Sequence, residues 1–238
     1  MSDNVLVMIP AYDEERTIRK VVMTVRDLYP EFDVLLINDG STDGTGSEAE
    51  SAGATVLTLP FHAGGTAAVL TGYLVALRFN YDYLVKVDGD GQHKPDDIAR
   101  VLQPLFDGLS DIAVGSRYLR NKPEQDSMVR IGGRVFSSTI FSRLSKQMNV
   151  TDVTSGFRAW RREALRRLVD IYMSWTTLPD DSVLWLVETT TAIKEGLRIK
   201  EVPIEVLPRT CGKSKSFTLI KMLKYPFKMV YTLFKTIG

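Results

Sequence analysis

The sequence predicts an α/β fold built on a mostly parallel sheet with helices on both faces. Three observations carry that expectation. Short apolar segments alternate with helix-length segments through the first half of the chain. The helix-length segments place their apolar residues at helical spacing. Three of the apolar segments run directly into acidic turns.

The elements follow in order. Residues 4–9 form a short apolar strand. Helix follows over 15–29, with Ile18, Val21, Val22, Val25 and Leu28 on one face; Asp13 is the expected N-cap and Pro30 the stop. Residues 33–37 form a second strand. A Ser/Thr/Asp/Gly turn leads into a short helix that ends near Gly53, and residues 55–59 form a third strand. A helix rich in small residues, 65–79, precedes a strand at 83–87. Pro95 opens a helix that reaches about Phe106, and residues 111–115 form the next strand. Beyond that, helices are expected at 132–147, 162–170 and 181–195, and a strand at 198–206. From Phe217 the chain reads as helical, interrupted at Pro226.

The 238 residues can bury one core, and 44% hydrophobic with 25% charged residues is a globular composition. The expected organisation is a catalytic domain over 1–210 and a basic, amphipathic tail over 211–238. A net charge of +1 implies no whole-chain affinity for polyanions, so no nucleic acid is expected. From Arg209 onward, however, there are seven Lys or Arg and no acidic residue. The single cysteine, Cys211, allows no internal disulfide and fits a reducing compartment. Neither a signal peptide nor an apolar run of membrane-spanning length is visible.

The most telling segment is Val85-Lys-Val-Asp-Gly-Asp-Gly-Gln-His93. Alternate residues of an extended segment face the same way, so Asp88 and Asp90 can address one ligand. Paired carboxylates beside glycines suit Mg²⁺ or Mn²⁺ held together with a substrate diphosphate. An ordinary solvated turn is the competing reading. The other two acidic turns are Pro10-Ala-Tyr-Asp-Glu14 and Asn38-Asp-Gly-Ser-Thr-Asp-Gly44. If the strands are parallel, all three turns converge on one sheet edge, where open α/β sheets bind ligands. A calcium loop starting at Asp39 fits poorly, because Gly46 stands at its normally apolar eighth position and a strand flanks it.

In this order the segments resemble a family 2 glycosyltransferase of the GT-A fold, and more closely the dolichol- or polyprenyl-phosphate sugar synthases. The resemblance is carried by Ile9-Pro-Ala-Tyr-Asp-Glu14, Asn38 to Thr45, Asp88-Gly-Asp-Gly-Gln-His93, Gly115-Ser-Arg-Tyr118, Asp152-Val-Thr-Ser-Gly-Phe-Arg-Ala159 and Arg209-Thr-Cys-Gly-Lys-Ser-Lys215. It implies that Pro10, Ala11, Tyr12 and Glu14 line a nucleotide pocket and that Asp39 contacts the base or ribose. Asp88, Asp90 and Gln92 would gather at a Mg²⁺ or Mn²⁺ site, with Asp90 the most direct ligand, and Asp88 and Gly89 would also bind the donor. Arg117, Arg134 and Ser138 would face an acceptor phosphate. Arg209, Lys213, Ser214 and Lys215 would close on the donor diphosphate.

The implied reaction is inverting transfer of a hexose from a UDP- or GDP-sugar to a polyprenyl phosphate at the cytoplasmic face of a membrane. The alternative is transfer to a saccharide hydroxyl in cell-surface polysaccharide synthesis. That route needs a carboxylate base, for which Asp180 or Asp181 is the candidate. A dinucleotide dehydrogenase is disfavoured, since no Gly-x-Gly-x-x-Gly follows the first strand. A basic amphipathic tail fits a membrane surface, packing on the domain, or a separate integral membrane partner.

The sequence departs from the family pattern at His62-Ala-Gly-Gly-Thr66, where Asn-x-Gly-x-Gly is usual; at Asp13, where Asn is commoner; and at Leu178-Pro-Asp-Asp181. Simpler roles also stand. Arg117 and Arg134 suit surface ion pairs, Asp152 and Ser155 suit caps or turns, Asp180 and Asp181 suit a helix N-terminus, and His62 suits a packed or solvated histidine.

Overall fold

Strand β1 (Val5–Ala11) sends Val5, Val7 and Ile9 into one core and Leu6 and Met8 into another. Strand β2 (Asp33–Asn38) divides in the same way, with Val34 and Leu36 against Leu35 and Ile37. A strand covered on both faces needs apolar residues at consecutive positions, which is why these segments read as continuous apolar runs.

The computed structural model describes residues 4–119 and 150–208. The helix expected at 132–147, with Arg134 and Ser138, lies outside the described residues. So do Arg209, Cys211, Lys213, Ser214, Lys215 and the tail.

Helices α1 (Glu15–Leu28), α2 (Thr45–Ser51) and α3 (Gly65–Arg78) alternate with β1, β2, β3 (Thr55–Thr58) and β4 (Tyr83–Lys86). A 3-10 turn, Pro95–Asp97, leads into α4 (Ile98–Phe106), then β5 (Ile112–Ser116). After residue 150 come β6 (Arg158–Arg161), α5 (Arg162–Met173), α6 (Leu184–Lys194) and β7 (Ile199–Pro203).

The sheet order is β3-β2-β1-β4-β6-β5-β7. Strands β3, β2, β1 and β4 are parallel, as are β5 and β7, while β6 runs antiparallel to both its neighbours. Helices α1 and α4 pack through Ile18, Val22, Val101 and Leu105 on one face. Helices α3, α5 and α6 cover the other through Val69, Tyr73, Leu168 and Val187.

Two features differ from the sequence reading. Strand β6, Arg-Ala-Trp-Arg, has no apolar run to announce it. Asp13 is not the cap of α1: Glu14 holds that position without a side-chain capping bond, and Asp13 instead accepts the Thr42 amide at 2.9 Å.

Candidate active site

Strands β2, β1 and β4 are neighbours and parallel, so their three acidic turns open at the same sheet edge. Side chains and backbone stitch the turns together. The Asp13 amide donates to Ser41 Oγ at 3.0 Å, the Glu14 amide to Thr45 Oγ1 at 2.8 Å and the Gly44 amide to Glu15 Oε2 at 2.9 Å. Thr17 Oγ1 donates to the Gly89 carbonyl at 2.8 Å, tying α1 to the Asp88-Gly89-Asp90 loop. A Cβ at Gly89 would stand 3.0 Å from the Ala11 Cβ, so glycine lets these two turns touch. Several carboxylates beside the edge therefore hold the loops.

Asp39 is almost fully buried. Its carboxylate accepts the Ala63 amide at 2.7 Å and the Gly64 amide at 3.0 Å, and His62 Nδ1 lies 2.8 Å away. The His62 ring stacks on Tyr12 with centroids 3.8 Å apart and planes 18° from parallel. Gly40 has φ +68°, and a Cβ there would come within 2.4 Å of the Phe61 carbonyl carbon. The turn after β2 thus packs directly against the backbone at 61–62. Tyr12 and Asp39, expected from opposite turns, are brought together through a histidine whose place the sequence did not reveal.

The loop after β4 has its own supports. Lys86, buried at the strand end, contacts the Asp88 carboxylate and donates to the Gly156 carbonyl at 3.1 Å. His93 Nδ1 accepts the Asp88 amide at 3.2 Å. Burial depresses the His93 pKa to about 4, so the ring is neutral and its 3.4 Å approach to Asp88 is not an ion pair. One Asp90 oxygen accepts the Gln92 amide at 3.0 Å. Gln92 Nε2 donates to the Leu207 carbonyl at 3.3 Å, and the Leu207 amide donates back to Gln92 at 2.8 Å. The loop is therefore fastened to the segment that leads to Arg209.

These residues fit a divalent cation of the Mg²⁺ or Mn²⁺ type. Asp88 and Asp90 supply hard oxygens on one partly exposed loop. No group of three or more His, Cys, Asp or Glu is gathered for a metal among the described residues. Such a donor set matches an ion completed by substrate oxygens better than a closed protein cage. Lys86 engages one oxygen of Asp88, and one oxygen of Asp90 accepts the Gln92 amide.

Arg117 lies on Asp152 as a two-pronged fork, Nε to Oδ2 and Nη2 to Oδ1, both at 2.7 Å; Nη2 also donates to Thr154 at 2.8 Å. Burial alone would raise the Asp152 carboxyl, but the Arg117 contacts outweigh it and hold the group below its ordinary range. Further along, Arg158 is fully buried and donates to Glu188 Oε1 at 3.1 Å, to Thr189 at 3.0 Å and to the carbonyls of Val153, Ser155 and Trp185. Glu188 also accepts Tyr73 Oη at 2.5 Å and Trp160 Nε1 at 3.1 Å. Burial raises the Glu188 pKa, opposed by Arg158 and these donors. A Cβ at Gly156 would meet Lys86 Nζ at 3.0 Å and Trp185 Nε1 at 3.1 Å. The 152–159 motif thus orients Arg117, makes room for Lys86 and anchors β6 in the core.

Asp181 caps the N-terminus of α3, a helix distant in sequence, by accepting the Gly65 amide at 3.0 Å and the Thr66 amide at 2.7 Å. Asp180 accepts the Ser182 amide at 3.0 Å just before α6. Sequence reasoning missed Lys86, His93 and the Arg158–Glu188 pair as supports. A lysine two residues before Asp88 in an otherwise apolar strand was the available signal for the first; an arginine and a glutamate thirty positions apart announce nothing.

The family model for glycosyl transferase family 2 matches residues 6–169. The chain belongs to glycosyl transferase family 2. It is 32% identical over 222 residues to a polyprenol monophosphomannose synthase from Mycolicibacterium smegmatis, covering 88% of this chain and 80% of the relative. It is also 32% identical to an undecaprenyl-phosphate mannosyltransferase from Micrococcus luteus, covering 89% of this chain and 86% of that one. Among solved structures, glucosyl-3-phosphoglycerate synthase from Mycobacterium tuberculosis in complex with Mn²⁺, UDP and phosphoglyceric acid superposes with a TM-score of 0.75. That match has 18% identity and covers 100% of this chain and 79% of the other, a likeness of fold. The GT-A fold and glycosyltransferase class expected from the motifs are thereby established.

Proposed function

We propose that this glycosyltransferase moves a hexose from a UDP- or GDP-sugar to a polyprenyl phosphate at the cytoplasmic face of a membrane, inverting the anomeric carbon. The observation that carries the reading is the carboxyl edge of β2-β1-β4, where Tyr12, Asp39, Asp88 and Asp90 stand on adjoining turns. The two lipid-phosphate mannosyltransferase relatives support the acceptor class. The Mn²⁺ and UDP named for the glucosyl-3-phosphoglycerate synthase support a metal-assisted nucleotide donor.

In this reading Tyr12 and Asp39 receive the nucleoside, with Pro10, Ala11 and Glu14 around it. Asp90, with Asp88 and Gln92, would hold Mg²⁺ or Mn²⁺, which when bound supplies charge stabilisation to the departing diphosphate. Lys86 keeps Asp88 in place, and Gly89 lets the loop lie against Ala11. Arg209, Lys213 and Lys215 would add positive charge, and Ser214 a hydroxyl, from the segment beyond Leu207.

The acceptor needs positioning more than activation. A phosphate monoester has a second pKa near ~6, so it is largely dianionic at neutral pH and already nucleophilic. Arg117, with Arg134 and Ser138, would bind it, and the phosphate must share or displace the Asp152 contact to engage the Arg117 fork. Both oxygens of Asp181 already cap α3, which favours this route over one that uses Asp181 as a base toward a sugar hydroxyl. The basic, amphipathic 211–238 tail would make the membrane contact, alone or with an integral membrane partner.

The test is transfer of label from a panel of UDP- and GDP-sugars into an organic phase containing polyprenyl phosphate, with Mg²⁺ or Mn²⁺. Extractable label that disappears with EDTA supports the reading. Turnover onto a saccharide alone refutes the acceptor assignment. Asp90→Ala should abolish transfer while leaving the fold intact; full activity in that variant refutes the metal assignment.

A further inference from the structure

We propose that His62 is an internal stand-in for the donor's nucleobase, seated on Tyr12 and bonded to Asp39 until the base displaces it. The inference rests on the nucleotide-sugar reading above and adds the step by which the pocket opens.

His62 makes both contacts that a bound base would make with these residues. It lies flat on the Tyr12 ring, with centroids 3.8 Å apart and planes within 18°. It places a ring nitrogen 2.8 Å from Asp39 Oδ2. An ionised carboxylate only accepts, so the ring nitrogen is the donor. Stacking on an aromatic face tolerates any base, whereas the bond to Asp39 calls for a donor at the place of the imidazole N–H, which the ring N–H of uracil or guanine supplies. At 3.8 Å the two rings are in contact, so no third ring fits between them. A base that stacks on this face of Tyr12 and bonds Asp39 must therefore take the imidazole's place.

The surroundings let the side chain leave without rebuilding the pocket. The Ala63 and Gly64 amides hold Asp39 independently of His62. Gly40 fixes the backbone at 61–62 by close packing, and Asp181 anchors the loop's far end at Gly65 and Thr66. The His62 side chain itself is 50% exposed, so it can rotate into solvent. Occupying the site in the meantime gives the buried Asp39 carboxylate a third donor, and it lowers apparent nucleotide affinity by the fraction of time the site is closed.

The experiment is calorimetric titration of UDP and of GDP, each with Mg²⁺, into the full chain and its His62→Ala and His62→Phe variants. His62→Ala should bind the preferred nucleotide about tenfold more tightly, because the closed state is gone. His62→Phe, which keeps a ring on Tyr12 but loses the bond to Asp39, should fall between. Unchanged or weaker binding in His62→Ala overturns the proposal while leaving the donor reading in place. A second measurement needs no variant. The chain has two histidines, His62 and His93, so ring signals are assignable. The cross-relaxation between His62 and Tyr12 ring protons should vanish at saturating nucleotide; its persistence overturns the proposal. If neither UDP nor GDP binds any form of the protein, the donor reading fails and the His62 assignment falls with it.

Discussion

Asp181 separates the two acceptor chemistries, because one reading makes it a helix cap and the other a proton acceptor. Its carboxylate takes the Gly65 and Thr66 amides at 3.0 and 2.7 Å, the first turn of the 14-residue helix α3. Asp181→Ala removes both acceptors. Losing an N-cap costs ~0.5–2 kcal/mol, and the exposure of Asp181 keeps the loss within that range. Asp181→Asn keeps one good acceptor and forfeits mainly the charge at the helix terminus, about 0.3–1 kcal/mol. At about 2–4 °C per kcal/mol for a chain of this size, the alanine variant should melt about 1–8 °C lower and the asparagine variant about 1–4 °C lower. The assay pairs thermal unfolding with kcat for transfer to polyprenyl phosphate at a temperature where every variant is folded. A cap role leaves kcat of Asp181→Asn within a few-fold of the parent. General-base catalysis typically contributes ~10²–10⁴-fold, so a loss of that size in a normally stable Asp181→Asn protein would refute the assignment.

The remaining expectations follow from the buried charges. Glu188→Ala leaves Arg158 without its counter-ion in a site where both side chains are at most 1% exposed; the cost should be about 3–5 kcal/mol, read as a lower urea midpoint at constant slope. A loss under about 1 kcal/mol would mean that the Val153, Ser155 and Trp185 carbonyls suffice for Arg158. Asp152 has a carboxyl depressed in the folded state, so its pairing with Arg117 stabilises at pH values above the unfolded value near ~3.9 and is lost as pH falls through the folded one. The stability gap between the parent and Asp152→Asn should therefore hold steady from about pH 7 to pH 5 and narrow in more acid solution; a gap that widens on acidification contradicts the ion pair.

The first four strands and their helices were legible within a residue or two, since local pattern reports them. An apolar run buried on both sheet faces looks the same in sequence and in structure, and Val5–Ala11 and Asp33–Asn38 are such runs. The acidic turns were legible too, because a strand end followed by Asp and Gly specifies a loop at the carboxyl edge. Strand β6 was not, since half of it is arginine. The burial of Arg158 depends on Glu188, Thr189 and three carbonyls that reach it only after the chain has folded.

By itself, then, the sequence determined the α/β class, the order of the first strands, the three turns and the transferase family, all of which are properties of short contiguous segments. Tertiary structure alone decided what each polar residue does. Asp13 became a brace for the Thr42 turn rather than a cap, Asp181 became the cap of a helix more than a hundred residues away, and Asp152 became the seat of Arg117. It also set His62 on Tyr12 and Asp39. The physical reason is that the hydrogen bonds and ring contacts of a carboxylate or imidazole form only within about 4 Å, and spacing along the chain does not specify which distant amide or ring will occupy that distance.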